Sequence, residues 1–166
     1  MPLRSLVRQL REGALTGELL ERSRRSDRFL MRGAGRNCRA LVTSAMAQRD
    51  GSPLLVVVPT LEEAGRWTAL LELMGWSMAS LYPTSEGSPY EPFDPTSEII
   101  WGQLQVLSDL LNDPEATGRA IVATERCLQP HLPPPQSLKN TCSVLKRGDE
   151  VDLESLSETL AKLGYE

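Results

Sequence analysis

The run PLLVVVPT at residues 53–60 limits the possible folds more than any other part of this chain. Five consecutive apolar residues, Leu54 to Val58, leave it without a polar face. A strand with one wet face alternates, whereas a strand that is apolar throughout reads as a central strand of a parallel sheet covered on both sides. The run is short and ends in three β-branched residues, which favours a strand over a buried helix segment. Thr60 is placed to cap a helix with Leu61, Ala64, Trp67, Leu71 and Met74 on its buried side, stopped by Gly75. A buried strand followed at once by a helix is the start of a parallel α/β unit.

The alternation continues on both sides of this unit. Leu3, Leu6, Val7 and Leu10 have helical spacing up to Gly13, and Thr16 is placed to cap a second short helix through about Arg25. Phe29–Met31, Met78–Tyr82 and RAIVATE (119–125) read as further strands, and Glu125 to Leu128 as a short turn or helix. Cys38, Leu41, Val42 and Ala45 share one face of a helix after the first strand. Asp94-Pro95 is a good helix start, and Ile100, Leu104, Leu107 and Leu111 run down that helix to Asn112-Asp113-Pro114. The expected fold class is α/β, with about four parallel strands flanked by helices. Four of the twelve prolines fall in QPHLPPPQ, 129–136, a stiff connector. It divides the chain into a domain over 1–135 and a segment over 136–166. In that segment SVLKRG (143–148) reads as a strand, and Asp152 caps a helix with Leu153, Leu156, Leu160 and Leu163 on one side, ended by Gly164. The stripe lacks an evident partner, so 136–166 reads as the beginning of a second, truncated domain.

Residues 32–42, RGAGRNCRALV, sit between an apolar run and a helix, the layout of a phosphate-binding loop. A working loop needs Gly, four residues, Gly, then Lys and Ser or Thr. Its glycines let backbone N–H groups surround phosphate, the Lys reaches the β and γ phosphates, and the hydroxyl holds Mg²⁺. With the first Gly on Gly33, the second position is Cys38, the Lys position Arg39 and the hydroxyl position Ala40. Starting from Gly35 places Ala40 and Leu41 at the second Gly and the Lys, a poorer match. Two readings remain at this point. Gly33, Gly35, Cys38, Arg39 and Ala40 are either a nucleotide site stripped of its working atoms or an ordinary two-glycine turn.

Other chemistry is sparse. His131, the single histidine, lies in the connector with no nearby Cys or paired acids. Cys38, Cys127 and Cys142 fit neither a disulfide framework nor a metal motif, which points to a reducing cytoplasm. No Ser lies in a G-x-S-x-G elbow. Glu86, Glu91, Asp94 and Glu98 lack metal-loop spacing, and Tyr90 and Phe93 read as a hydrophobic plug under their loop rather than as a stacking platform. No catalytic or metal residue is assigned, and no bound cofactor is expected. Residues 1–39 hold ten arginines and four acids, against eight bases and eighteen acids in 40–166. The arginines interleave with apolar helical positions over at least three segments, so weak duplex DNA binding at most is expected. No apolar stretch is long enough to span a membrane, and the N-terminus lacks a secretory signal pattern.

FLMRGAGRNCRAL, PLLVVVPTLEEA, SPYEPFDP, ATERCLQPHLPPP and LKRGDEVDLESLSETLAKLGYE occur in that order. Together they resemble the N-terminus of the bacterial transcription-repair coupling factor family over nearly the whole chain. The resemblance implies a module similar to excinuclease component B, a helicase/RecA-like lobe interrupted by a smaller inserted domain. It further implies a degenerate phosphate loop, since Cys38, Arg39 and Ala40 depart from the intact loop of that excinuclease component. In such a family the full-length protein is an ATP-dependent DNA translocase that displaces stalled RNA polymerase and recruits excinuclease component A for nucleotide excision repair. ATP, Mg²⁺, RNA polymerase and DNA are handled by downstream domains, and excinuclease component A mainly by the completed inserted domain. The implied role of this chain is that of a non-catalytic interaction and regulatory module. The alternative is a fragment of a nucleotide-dependent helicase-like ATPase.

Overall fold

A computed structural model of the chain describes residues 2–26, 28–84, 97–113, 116–128, 134–141, 145 and 147–162. Two compact units are present, Met1–Pro130 and His131–Glu166. The first contains α1 (Leu3–Glu12), α2 (Ala14–Arg24), α3 (Arg36–Asp50), β1 (Leu54–Val58), α4 (Leu61–Leu73), β2 (Met78–Leu81), α5 (Ser97–Asn112), β3 (Arg119–Thr124) and a short 3₁₀ turn, Glu125–Leu128. The strands form one parallel sheet in the order β1-β3-β2. In register, Val56 lies beside Val122 and Ser80 beside Ile121. The α/β class expected from the sequence is therefore the fold observed.

Two strand expectations are corrected. Phe29–Met31 is irregular backbone, with Leu30 71% exposed, so the described sheet has three strands and not four. Three residues between Arg28 and Arg32 are too few to hold a ladder without a neighbour to take their hydrogen bonds. The central strand is β3, not 54–58. β1 is an edge strand among the described residues, with Leu55 58% and Val57 42% exposed. An unbroken apolar run shows that a strand can be buried on both faces, but not where it stands in the sheet.

The main core lies on one face of the sheet, under α1, α3 and α4. It joins Val7, Ala40, Ala45, Val58, Ala64, Trp67, Leu71, Met74, Trp76, Ala120 and Val122. Each large side chain fully buried there stabilises the fold by about 1.5–3 kcal/mol. Thr60 caps α4 as expected, its Oγ accepting from the Glu63 backbone N–H at 3.2 Å. Glu62 and Glu63 in the first turn complement the helix dipole. Thr16, by contrast, is not a cap. Gly13 is the N-cap residue of α2, and the buried Thr16 hydroxyl donates at 2.6 Å to the Leu10 carbonyl, which also accepts from the Gly13 N–H at 3.0 Å at the end of α1.

A smaller cluster on the other face joins Tyr82, Val106, Ala123 and Cys127, with Leu107, Leu110 and Ile121 against it. The packed face of α5 is thus only partly the expected stripe: Leu107 packs on the cluster, whereas Ile100 and Leu104 are exposed. Tertiary polar contacts set its rotation. Gln103 Nε2 donates to the Pro83 carbonyl at 2.9 Å, and Arg119 donates to the Asp109 carbonyl at 3.0 Å.

The second unit contains α6 (Pro135–Thr141) and α7 (Leu153–Lys162). The end of the expected stiff connector falls where α6 begins. Pro135 at the first helical position is compatible with a helix start, because its missing N–H is not needed there. Asp152 Oδ1 accepts from the Glu154 N–H at 3.1 Å, as a cap should. Of the expected strand 143–148, Leu145 and 147–148 are not in a strand, and 143, 144 and 146 lie outside the described residues. Also outside them are Glu86, Tyr90, Glu91, Phe93, Asp94, Pro95, His131, Cys142, Leu163 and Gly164.

Candidate functional site: the loop remnant and the strand-end cleft

Gly33 has φ +73°, a left-handed conformation that a residue with a Cβ rarely adopts, so the turn into α3 needs its glycine. Gly35 is extended and serves as the N-cap residue of α3, without a side chain to close it. Arg39, at the Lys position, turns back on the loop, and its Nε donates to the Ala34 carbonyl at 2.7 Å. Ala40, at the hydroxyl position, is fully buried in the main core. Cys38 is exposed, which corrects its expected place on the packed face of α3; the buried positions there are Ala40, Ser44 and Ala45. Arg39 and Ala40 therefore differ from the Lys and the metal-holding hydroxyl of a working loop in chemistry and in placement. The loop cation is engaged by a loop carbonyl, and residue 40 presents neither an oxygen nor an open surface.

The loop adjoins the end of the sheet where ligands of parallel α/β folds usually bind, beyond the carboxyl ends of the strands. Arg36, in the first turn of α3, pairs with Glu63 in the first turn of α4 at 2.8 Å. A cleft of about 240 Å³ lies at that end, lined by Pro59, Thr60, Leu61, Thr84, Thr124 and Arg126. Its polar groups are largely committed. Thr60 Oγ caps α4, and Thr124 Oγ lies 3.4 Å from Cys127 Sγ. Beneath it, the Cys127 thiol donates to the Tyr82 carbonyl at 3.7 Å, and burial raises the Tyr82 phenol above its ordinary pKa, with Cys127 adding to the shift. The Pro-Thr pair stands out in the sequence, whereas Thr84, Thr124 and Arg126 do not. Their signal is position, since all three stand at or just after strand ends.

Several arginines of the basic N-terminal stretch have structural roles. Arg24 Nη2 donates to Asp50 Oδ1 at 2.8 Å, tying α2 to α3. Hydrogen bonds from Ser52 and then Arg24 hold the Asp50 carboxyl below its ordinary pKa. Beyond this stretch, Arg49 Nη1 donates to the Gly13 carbonyl at 2.9 Å and the Arg11 carbonyl at 3.2 Å, binding α3 to the α1–α2 corner. Among the described residues no group of three His, Cys, Asp or Glu is placed to hold a metal, and no helix is long and apolar enough to cross a membrane.

The geometry defines a parallel α/β domain in which Cys38, Arg39 and Ala40 stand where a phosphate loop has Gly, Lys and a hydroxyl. The chain is 29% identical over 126 residues, 76% of its length, to the transcription-repair-coupling factor of Haemophilus influenzae. It is 25% identical over 138 residues, 82% of its length, to the factor of the same name in Bacillus subtilis. The chain is therefore related to transcription-repair-coupling factors. The matched stretch spans only 11% and 12% of those two proteins. No protein-family model and no solved structure matches the chain.

Proposed function

We propose that this chain serves a transcription-coupled DNA repair factor as a non-catalytic interaction and regulatory module, with a RecA-like lobe that has lost its nucleotide. The relationship to two transcription-repair-coupling factors supports the repair context. The observation that carries the non-catalytic reading is the Arg39–Ala34 hydrogen bond, which engages the loop cation with the loop itself, beside an Ala40 closed into the core. In this reading the whole protein works in the cytoplasm, displaces stalled RNA polymerase by ATP-driven translocation on DNA and recruits excinuclease component A. The motor lies downstream, and excinuclease component A is bound mainly by a completed second domain that begins near residue 136.

The test is titration of a fluorescent ATP analogue with Mg²⁺. No saturable binding is expected. Micromolar binding displaced by unlabelled ATP overturns the reading and favours a helicase-like ATPase. A parallel comparison measures the binding of excinuclease component A to this chain and to one extended through the second domain. The extended chain should bind much more tightly, and equal affinity would move the recruiting surface onto the first unit.

A further inference from the structure

We propose that the groove between α1, α3 and the end of α4 is a contact surface for the phosphodiester backbone of a nucleic acid. This inference does not rest on the loop remnant. Arg4, Arg8 and Arg11 line the groove together with Ser5, Gln48 and Gly75, around a volume of about 380 Å³. Spacings of four and three residues put the arginines on one face of α1. At a rise of about 1.5 Å per residue the row is roughly 10 Å long. Successive phosphates of one nucleic-acid strand lie roughly 6–7 Å apart in space, so the row spans two to three of them, within reach of three long arginine side chains.

The guanidinium groups are lightly engaged. Arg8 and Arg11 have Glu12 as an ion-pair partner, each at 3.8 Å, and the Glu12 side chain is 66% exposed. Such long, exposed pairs are easily exchanged for another anion. Arg4 has no hydrogen bond or ion pair among the described residues, and its stem lies over Gly75, where an added Cβ would meet Arg4 Cγ at 2.9 Å. Three positive charges exceed the single charge of Glu12 and the roughly half charge at the C-terminus of α4.

Backbone phosphates fit this lining better than bases or a protein do. No aromatic side chain lines the groove, so bases have nothing on which to stack. Met74 is its one large apolar side chain and is only 1% exposed, which leaves a protein partner no hydrophobic anchor. A phosphodiester chain needs neither, and Arg suits phosphate by its planar fork of donors. The sequence suggests arginines scattered over separate segments, whereas α1 gathers three of them in one groove. Three contacts make a weak, salt-sensitive surface, which agrees with the weak duplex binding expected from the sequence.

The test is fluorescence anisotropy of a labelled single-stranded oligonucleotide and its duplex with the 166-residue chain over a range of salt. Binding at low salt should weaken with a log–log slope of roughly −2 for the single strand. Changing Arg4, Arg8 and Arg11 together to Gln should weaken it by roughly tenfold or more and flatten the slope. The same change at Arg22, Arg25 and Arg28 should leave most of the binding. If the groove variant fails to fold, Arg8→Gln alone should still lower the slope by about one contact. Absence of binding at low salt, equal losses in both triple variants, or an unchanged slope in Arg8→Gln would each overturn the proposal. Equal displacement of the oligonucleotide by a poly-glutamate peptide of matched charge would overturn it in favour of an acidic protein partner.

Discussion

Trp76 Nε1 donates a 2.9 Å hydrogen bond to Ser44 Oγ inside the main core. Ser44 is completely buried and Trp76 nearly so, and the Ser44 hydroxyl in turn reaches Met74 Sδ at 3.6 Å. The pair joins the helix that follows the loop remnant to the connection between α4 and β2. It also satisfies an indole N–H that would otherwise be buried without a partner. Ser44→Ala should therefore cost about 1–3 kcal/mol, the usual penalty for an unpaired buried donor. Urea unfolding of Ser44→Ala, Trp76→Phe and the double variant measures it. The two single losses should add to more than the double loss. Simple additivity would show that the bond contributes little.

Rebuilding the phosphate-loop sequence should harm the fold without restoring nucleotide binding. Ala40 is fully enclosed, so Ala40→Thr adds volume and a hydroxyl to a packed core, a change that typically costs about 1–3 kcal/mol. Arg39→Lys removes the planar group that meets the Ala34 carbonyl. The combined variant Cys38→Gly, Arg39→Lys, Ala40→Thr should unfold at a lower temperature than the parent and bind no ATP analogue. An unchanged melting temperature would contradict the enclosed position of residue 40.

The Tyr82 phenol predicts an alkaline limit. Burial favours its neutral form and raises its pKa above the ordinary 10.0. The stability associated with the neutral phenol is fully present below pH 10.0 and is lost as pH rises from there through the higher folded-state value. Tyr82→Phe has no proton to lose. Urea midpoints measured across this alkaline range should fall more steeply for the parent than for Tyr82→Phe, and parallel curves would rule out the Tyr82 contribution.

Amide exchange should separate the two units. β3 is buried along nearly its whole length, whereas the described side chains of α7 are exposed apart from a half-buried Leu156. A ten-residue helix with little packing is marginal in water. Amides of 153–162 should exchange markedly faster than those of 120–124 when followed by mass spectrometry. Equal protection would show that α7 is held by contacts as strong as those of the sheet.

The sequence by itself determined the features that depend on near neighbours in the chain. The α/β class, the strands at 54–58, 78–81 and 119–124, and the Thr60 and Asp152 caps were all legible from patterns a few residues long. The departures of Cys38, Arg39 and Ala40 from a phosphate loop were legible too, because a motif is read residue by residue. Tertiary structure decided what depends on distant partners. It put β3 rather than β1 at the centre, and it turned α5 to pack Val106 instead of Ile100 and Leu104. It also closed Ala40 into the core while leaving Cys38 exposed, turned Arg39 onto Ala34, and collected Arg4, Arg8 and Arg11 in one groove. Hydrophobic burial has no direction of its own, so periodicity marks a face that can be covered, and only the assembled chain determines what covers it.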